Sequence, residues 1–392
     1  MGMKLAHGGL TMIHGMTYVS STILMVAFAP LIIAISKKFQ LLDRPNQRKI
    51  HINYISRLGG IGIFLSMWIS IFLTHKWNIV DFSDNFWPPI FWGSLAAFIL
   101  GLWDDLKNIP AKQKLLFQFL LAFLAYGLGF RIEEIQVGFG NPVHFGSLQL
   151  PVTVLWIVTV MNAFNMIDGL DGLAGGFAFL VFSTISLLGY LNGSDNIMIL
   201  AMICAGSCLG FLLFNYHPAK IFMGDCGSMM LGYILAIVSM SSGLENVTTS
   251  IFTPFFLLAF PLIDLSTAVL RRMIHAKATN KNISYLGIVR RTFDADGNHI
   301  HHRLLKLGFS QRKITMMVYA FTIVSCGLGL VSIYFSFGLI FFLFIFYLWF
   351  TVQTIRLLDY EEFVTGAYRN RQRELEEKQK LSTAPSLVKK VL

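Results

Sequence analysis

Phe335-Ser336-Phe337-Gly338-Leu339-Ile340-Phe341-Phe342-Leu343-Phe344-Ile345-Phe346-Tyr347-Leu348-Trp349-Phe350-Thr351 carries no charge from end to end. Neither does the stretch from Leu115 to Phe130. A helix crossing a bilayer needs about 20 mostly apolar residues, with about 17 as the lower limit, so both stretches read as spans. Similar blocks recur along the whole chain, which is 55% apolar and only 13% charged over 392 residues. A soluble domain carries about a quarter charged residues, and the shortfall points to lipid as the solvent.

Working outward from these blocks, eleven spans are expected, near 17–36, 59–75, 87–103, 115–130, 151–165, 173–190, 196–214, 226–242, 251–270, 314–332 and 335–353. The fold class is therefore an all-α polytopic membrane protein, with one membrane domain over 1–355 and a charged tail over 356–392. The net charge of +10 does not mark a nucleic-acid binder, because Lys and Arg sit in loops between apolar blocks. With loops 37–58, 104–114, 215–225 and 271–313 and the tail on the cytoplasmic side, only Lys4, Lys76 and Arg131 remain outside. That asymmetry places the N-terminus outside and the C-terminus in the cytoplasm. Between the fourth and fifth spans, Ile135, Val137 and Phe139 alternate before Gly140-Asn141-Pro142, the pattern of a short external β-hairpin.

Other classes fit less well. Thr17 to Ala29 resembles a signal-peptide core, but Lys37 and Lys38 follow it, as expected for a retained span. The four cysteines form no CxxC pair, which argues against a disulfide framework or a zinc site. Asp294-Ala295-Asp296-Gly297 imitates a calcium loop without its terminal Glu. An ion-coupled transporter would place acids at the bilayer midplane on paired, interrupted helices. Here the acids gather at inner helix ends, and only Asp264 lies within a span.

Four segments hold those acids: Asp104-Asp105 with Lys107 through Lys114; Asn162-Ala163-Phe164-Asn165-Met166-Ile167-Asp168-Gly169-Leu170-Asp171-Gly172; Phe222-Met223-Gly224-Asp225-Cys226-Gly227-Ser228; and Asp296 through His299-Ile300-His301-His302-Arg303-Leu304. Asp105, Asp168, Asp171 and Asp225 are costly near hydrocarbon unless they meet water, a cation or partners. The i, i+3 spacing of Asn162 with Asn165, and of Asp168 with Asp171, would put each pair on one helix face. Hard oxygen donors of this kind suit Mg²⁺, which takes one or two carboxylates and completes its shell with substrate phosphates. Lys114, His299, His301, His302, Arg271 and Arg272 offer positive charge for phosphoryl oxygens. A cation with a cationic clamp is what phosphoryl transfer requires.

Together with Asp43-Arg44-Pro45-Asn46-Gln47-Arg48-Lys49-Ile50-His51 and Arg57-Leu58-Gly59-Gly60, these segments resemble the polyprenyl-phosphate N-acetylhexosamine-1-phosphate transferases. That group primes O-antigen and teichoic-acid synthesis, and the phospho-N-acetylmuramoyl-pentapeptide transferases share its fold. The resemblance covers roughly residues 28 to 315. It implies that Asn165 and Asp225 hold Mg²⁺ (or Mn²⁺), and that Asp104 and Asp105 are a catalytic pair with Asp168 close by in the polar site. Lys114 would meet the lipid phosphate, and Asp171 and Phe222 the nucleobase. Arg272, His299, His301, His302 and Arg303 would form a cationic loop over the sugar phosphate, with His301 taking part in catalysis. The His-Ile-His-His-Arg-Leu form is similar to the N-acetylglucosamine branch. A longer stretch over 276–291 departs from the pattern where sugar specificity would be set.

The implied reaction moves N-acetylglucosamine-1-phosphate from UDP-GlcNAc to undecaprenyl phosphate and releases UMP. It would be the first membrane step of cell-envelope polysaccharide synthesis. Another UDP-N-acetylhexosamine is the alternative substrate, and a homodimer is left open. The implied location is the cell inner (cytoplasmic) membrane, with the active site facing the cytoplasm.

Overall fold

The computed structural model describes residues 2–43, 54–77, 79, 82, 85–135, 142–241, 252–279, 299–332, 334 and 337–357. The expected features at 44–53, at Val137 to Asn141, at Asp294 to Asn298 and in the tail lie outside the described residues. The described chain divides into two compact units, residues 1–265 with 297–342, and residues 266–296 with 343–392. The candidate site belongs to the first.

The fold class is the expected one. The helices are α1 (Gly2–Lys38), α2 (Gly59–Lys76), α3 (Trp87–Lys107), α4 (Ala111–Gly127), α5 (Gln149–Ile167), α6 (Leu173–Asn192), α7 (Asp195–Asn215), α8 (Gly224–Ser241), α9 (Phe252–Leu257) and α10 (Ala259–Thr279), followed by Ile300–Lys306, Gln311–Val331 and Phe337–Leu357. Seven of the described helices are long and apolar enough to cross a membrane. Each of the eleven expected spans coincides with helix, with one correction. The span near 251–270 is interrupted at Leu258, dividing α9 from α10. The hairpin is present: β1 (Leu42–Asp43) and β2 (Ile55–Ser56) form one antiparallel pair, and β3 (Glu134–Ile135) pairs with β4 (Val143–His144) in the expected place. All four cysteines are free and buried.

Helix α8 is the hub. Every residue from Cys226 to Ser239 is buried, and α8 packs against α3, α5 and α2. Helices in lipid associate by close van der Waals approach, which favours glycine at the contact. A Cβ on Gly60 would overlap the Gly227 backbone, and one on Gly101 would overlap the Asp225 carbonyl. At Gly93 a Cβ would strike the Tyr233 ring, whose hydroxyl donates to the Pro89 carbonyl at 2.8 Å.

Short connections bring the polar residues to one end of this bundle. Asn108 ends α3 in the left-handed region, and Pro110, whose φ suits a helix start, opens α4. Three residues thus separate the helix that carries the acids from the helix that carries Lys114. Gly172, at φ +76, turns the chain into α6. The segment entering α8 is stitched to the segment after β2: Phe222 N–H donates to Ser56 O at 2.7 Å, Gly59 N–H to Phe222 O at 2.9 Å, and Gly60 N–H to Met223 O at 2.8 Å.

Candidate active site

Asp104 and Asp105 are consecutive on a helix, so their side chains diverge and take different partners. Asp104 Oδ1 accepts the Ile109 N–H at 2.6 Å, fastening the α3–α4 turn, and its Oδ2 lies 2.5 Å from Lys114 Nζ. Asp105 points at α8. Its two oxygens accept the N–H groups of Asp225 and Cys226, each at 2.9 Å, so a carboxylate satisfies amides left over at a helix N-terminus and opposes its positive dipole end. Lys114 completes the link by donating to Asp225 Oδ1 at 2.6 Å. Residues 104, 105, 114 and 225 therefore form one connected network.

Asn165 lies on α5, and its Oδ1 accepts a hydrogen bond from Ser228 on α8 at 2.6 Å. Asn162 is turned to Gln118 instead, donating to its Oε1 at 2.7 Å. The shared helix face expected for Asp168 and Asp171 does not form. Helix α5 ends at Ile167, Asp168 is its C-cap, and Asp171 lies in the glycine-containing turn before α6. Asp171 faces the 215–221 segment: its Oδ2 sits 2.7 Å from His217 Nδ1 and accepts the Ala219 N–H at 3.1 Å. Buried Asn215 braces the same turn, accepting from Gly172 N–H at 3.0 Å and donating to Ile221 O at 2.8 Å. Phe222 occupies the stitched segment beside Asp225. Arg272 lies in the second unit.

The electrostatics follow from crowding. Burial pushes Asp168 up to about 7, with Asp225 and Asp105 adding to the rise and Arg57 opposing it. Burial likewise pushes Asp105 up to about 6, with Asp225 adding and the two amide bonds opposing. Burial pulls the Lys114 ammonium down, but Asp225 and Asp104 outweigh it and hold it above the ordinary lysine value. Four carboxylates, Asp104, Asp105, Asp168 and Asp225, thus crowd one place where Lys114 and Arg57 act on them.

This crowding tests the fit of Mg²⁺. Hard oxygens of Asp225 and Asn165 are the donors a divalent cation favours, and the crowding of Asp168 and Asp105 around Asp225 is what such a cation would relieve. Among the described residues no three His, Cys, Asp or Glu side chains gather at metal-binding distance. A site completed by substrate phosphates needs no such protein cage.

The histidine segment forms the helix Ile300–Lys306, with His299 as its N-cap. The rings of His299 and His301 stack with centroids 5.8 Å apart, and His301 and His302 lie 4.3 Å apart. His301 is buried, and a Cβ on Gly169 would stand 2.6 Å from its Nε2, so the helix rests on the turn beside Asp168. Burial pushes the His301 imidazole down to about 3, which opposes the positive charge expected of it. His302 is also lowered, by burial and then by His299. Arg303 lies on the same short helix.

Sequence reasoning missed several members. Arg57 acts on Asp168, although Arg57-Leu58-Gly59-Gly60 was visible as a motif. Ser228, Asn215, His217 and Asp264 gave no spacing signal, because their partners lie 36 to 63 residues away or across a loop.

Comparisons with known proteins place the chain among sugar-phosphate transferases acting on polyprenyl phosphates. Residues 87–243 match the family described as glycosyl transferase family 4. The chain is 32% identical over 335 residues to a probable undecaprenyl-phosphate N-acetylglucosaminyl 1-phosphate transferase of Bacillus subtilis, covering 84% of this chain and 88% of the relative. It is 27% identical over 313 residues to a decaprenyl-phosphate N-acetylglucosaminephosphotransferase of Mycobacterium leprae, covering 73% and 75%. To a phospho-N-acetylmuramoyl-pentapeptide-transferase of Staphylococcus carnosus it is 26% identical over 257 residues, covering 61% and 76%.

Proposed function

Since this chain belongs to the polyprenyl-phosphate N-acetylhexosamine-1-phosphate transferases, we propose that it moves N-acetylglucosamine-1-phosphate from UDP-GlcNAc to undecaprenyl phosphate. A lipid phosphate oxygen attacks the β-phosphorus, the bond from that phosphorus to the bridging oxygen breaks, and UMP leaves with the electron pair. The observation that carries this reading is the network joining Asp104, Asp105, Lys114 and Asp225, with Asp168 and Asn165 beside it. It unites hard oxygen donors with a cation at the end of an apolar bundle, where a lipid phosphate and a nucleotide meet.

Asn165 and Asp225 would hold Mg²⁺, which supplies charge neutralisation on the diphosphate and on departing UMP. Lys114, held charged between Asp104 and Asp225, is placed to take a phosphoryl oxygen. Asp171 and Phe222 form the nucleotide side, and His299, His302 and Arg303 the sugar-phosphate side. Transfer is direct. All four oxygens of Asp104 and Asp105 already have partners, which disfavours either as a covalent nucleophile. The lipid phosphate has a second pKa near 6 and is already an anion at pH 7. The active site faces the cytoplasm at the inner membrane. Single cysteines at Lys107 and Lys220 should resist an impermeant thiol reagent in intact cells while one at Asn192 reacts, and labelling at 220 would reverse the orientation.

The deciding measurement is UMP release by purified protein with undecaprenyl phosphate, Mg²⁺ and a panel of UDP-sugars. UDP-GlcNAc is expected to be the best donor, and no labelled UMP should exchange into it without lipid. Preference for another UDP-N-acetylhexosamine would change the sugar, and lipid-free exchange would establish a covalent route.

A further inference from the structure

Asp264 is fully buried on α10, and the reaction described above assigns it nothing. An isolated buried carboxylate is costly, and it persists only where partners compensate it. Its partners are at the start of the histidine segment. Oδ1 accepts the Ile300 N–H at 2.8 Å, and Oδ2 lies 3.1 Å from His299 Nδ1. That second contact is at ion-pair distance without yet being aligned as a hydrogen bond, as is common for functional hydrogen bonds before substrate tightens them.

From His299 the chain of contacts continues to the site. The His299 ring stacks on His301, and His301 Nε2 is pressed against Gly169, next to Asp168. Among the described residues, both buried ring nitrogens of His301 have no hydrogen-bond partner. The N-terminal anchor at Asp264 is one of the contacts that hold this helix in position. A carboxylate facing Nδ1 also selects the imidazole form protonated at Nδ1, which leaves Nε2 to accept a hydrogen bond or a proton. The ring and its tautomer are thus set from behind.

We propose that Asp264 is a positioning residue for the transfer reaction, fixing the tautomer of His299 and seating the helix Ile300–Lys306 on the Asp168–Gly172 turn. The proposal rests on the transferase reading for its effect on turnover, but its structural content does not.

Two variants separate the seat from the tautomer. In Asp264→Asn the amide oxygen still accepts from Ile300, while its NH₂ faces His299 Nδ1 and favours protonation at Nε2. Asp264→Glu restores a carboxylate one methylene longer. UMP release should fall about 10–100-fold in Asp264→Asn, the range for losing the carboxylate behind a functional imidazole, with the fall in kcat and little change in thermal midpoint. Asp264→Glu should recover part of the loss. Combined with His299→Gln, Asp264→Asn should add almost nothing, because one acts through the other. In protein labelled with ¹⁵N-histidine, the ring signal absent from His299→Gln should report Nδ1–H in wild type and Nε2–H in Asp264→Asn. Losses that multiply in the double variant, or an unchanged tautomer, overturn the proposal. If wild-type protein releases UMP from no UDP-sugar, the transferase reading fails and the ¹⁵N signal still decides this one.

Discussion

Asp225→Asn is expected to lower UMP release about 10²–10³-fold, the usual cost of removing one preorganised electrostatic contact from a transition state, while the protein still folds. The fold is spared because the Asp225 backbone N–H still donates to Asp105 and an asparagine oxygen can still accept from Lys114, as Oδ1 of Asp225 does. What changes is charge. Asp225 and Asp105 both add to the rise that burial imposes on Asp168. A carboxylate whose folded pKa lies near 7, against about 3.9 when unfolded, binds its proton more tightly in the folded state. Stability should therefore increase as pH falls from about 7 toward 4, and part of that slope should vanish in Asp225→Asn. Mg²⁺ should raise the wild-type thermal midpoint most near pH 8, where the carboxylates are ionised, and do so much less in the variant. Wild-type turnover with an unchanged Mg²⁺-dependent shift would remove Asp225 from the metal site.

Lys114→Met should be at least as damaging to activity and, unlike Asp225→Asn, should also weaken the fold. Lys114 is 16% exposed and lies between Asp104 and Asp225, which are 9% and 24% exposed. Removing a cation from a buried pair typically costs about 3–5 kcal/mol, because the remaining charge is left without compensation. Partial exposure of Asp225 puts this site toward the lower end of that range. The two effects can be separated. Adding Asp104→Asn to Lys114→Met removes one stranded charge, so it should recover thermal stability without recovering UMP release. Recovery of turnover in the double variant would make Lys114 a structural counter-ion rather than a phosphate-binding group.

The fold was legible because hydrocarbon imposes a simple demand. Every backbone group in a lipid span must bond within its own helix, so uncharged runs such as Leu115 to Phe130 could be little else. The interruption at Leu258 was not legible, since an apolar run carries no mark of where its backbone turns. The Asp104–Lys114 pair was within reach of sequence reasoning, because Asn108 and Pro110 make a short turn between two helices. The bond from Asp105 to the start of α8 spans 120 residues, and nothing local announces it. The helix spacing assumed for Asp168 and Asp171 failed because α5 ends at Ile167 and the chain runs through a turn, with Gly172 at φ +76, before α6 begins. His301 reads as cationic by residue type, and only its burial in the fold lowers its pKa. That environment exists only once the helix is seated on Gly169.

The glycine contacts around α8 have a consequence for how this chain can vary. Where two large side chains meet, a change in one can be accommodated by shrinking the other. Gly60 meets the backbone of Gly227, and Gly101 meets the Asp225 carbonyl, so neither contact has anything left to shrink. Compensation by a second substitution is closed off there, and the distance from Asp225 to the α3 acids is inherited as backbone spacing. Substitutions around α8 are therefore expected to be tolerated at its side-chain contacts and not at these two backbone contacts.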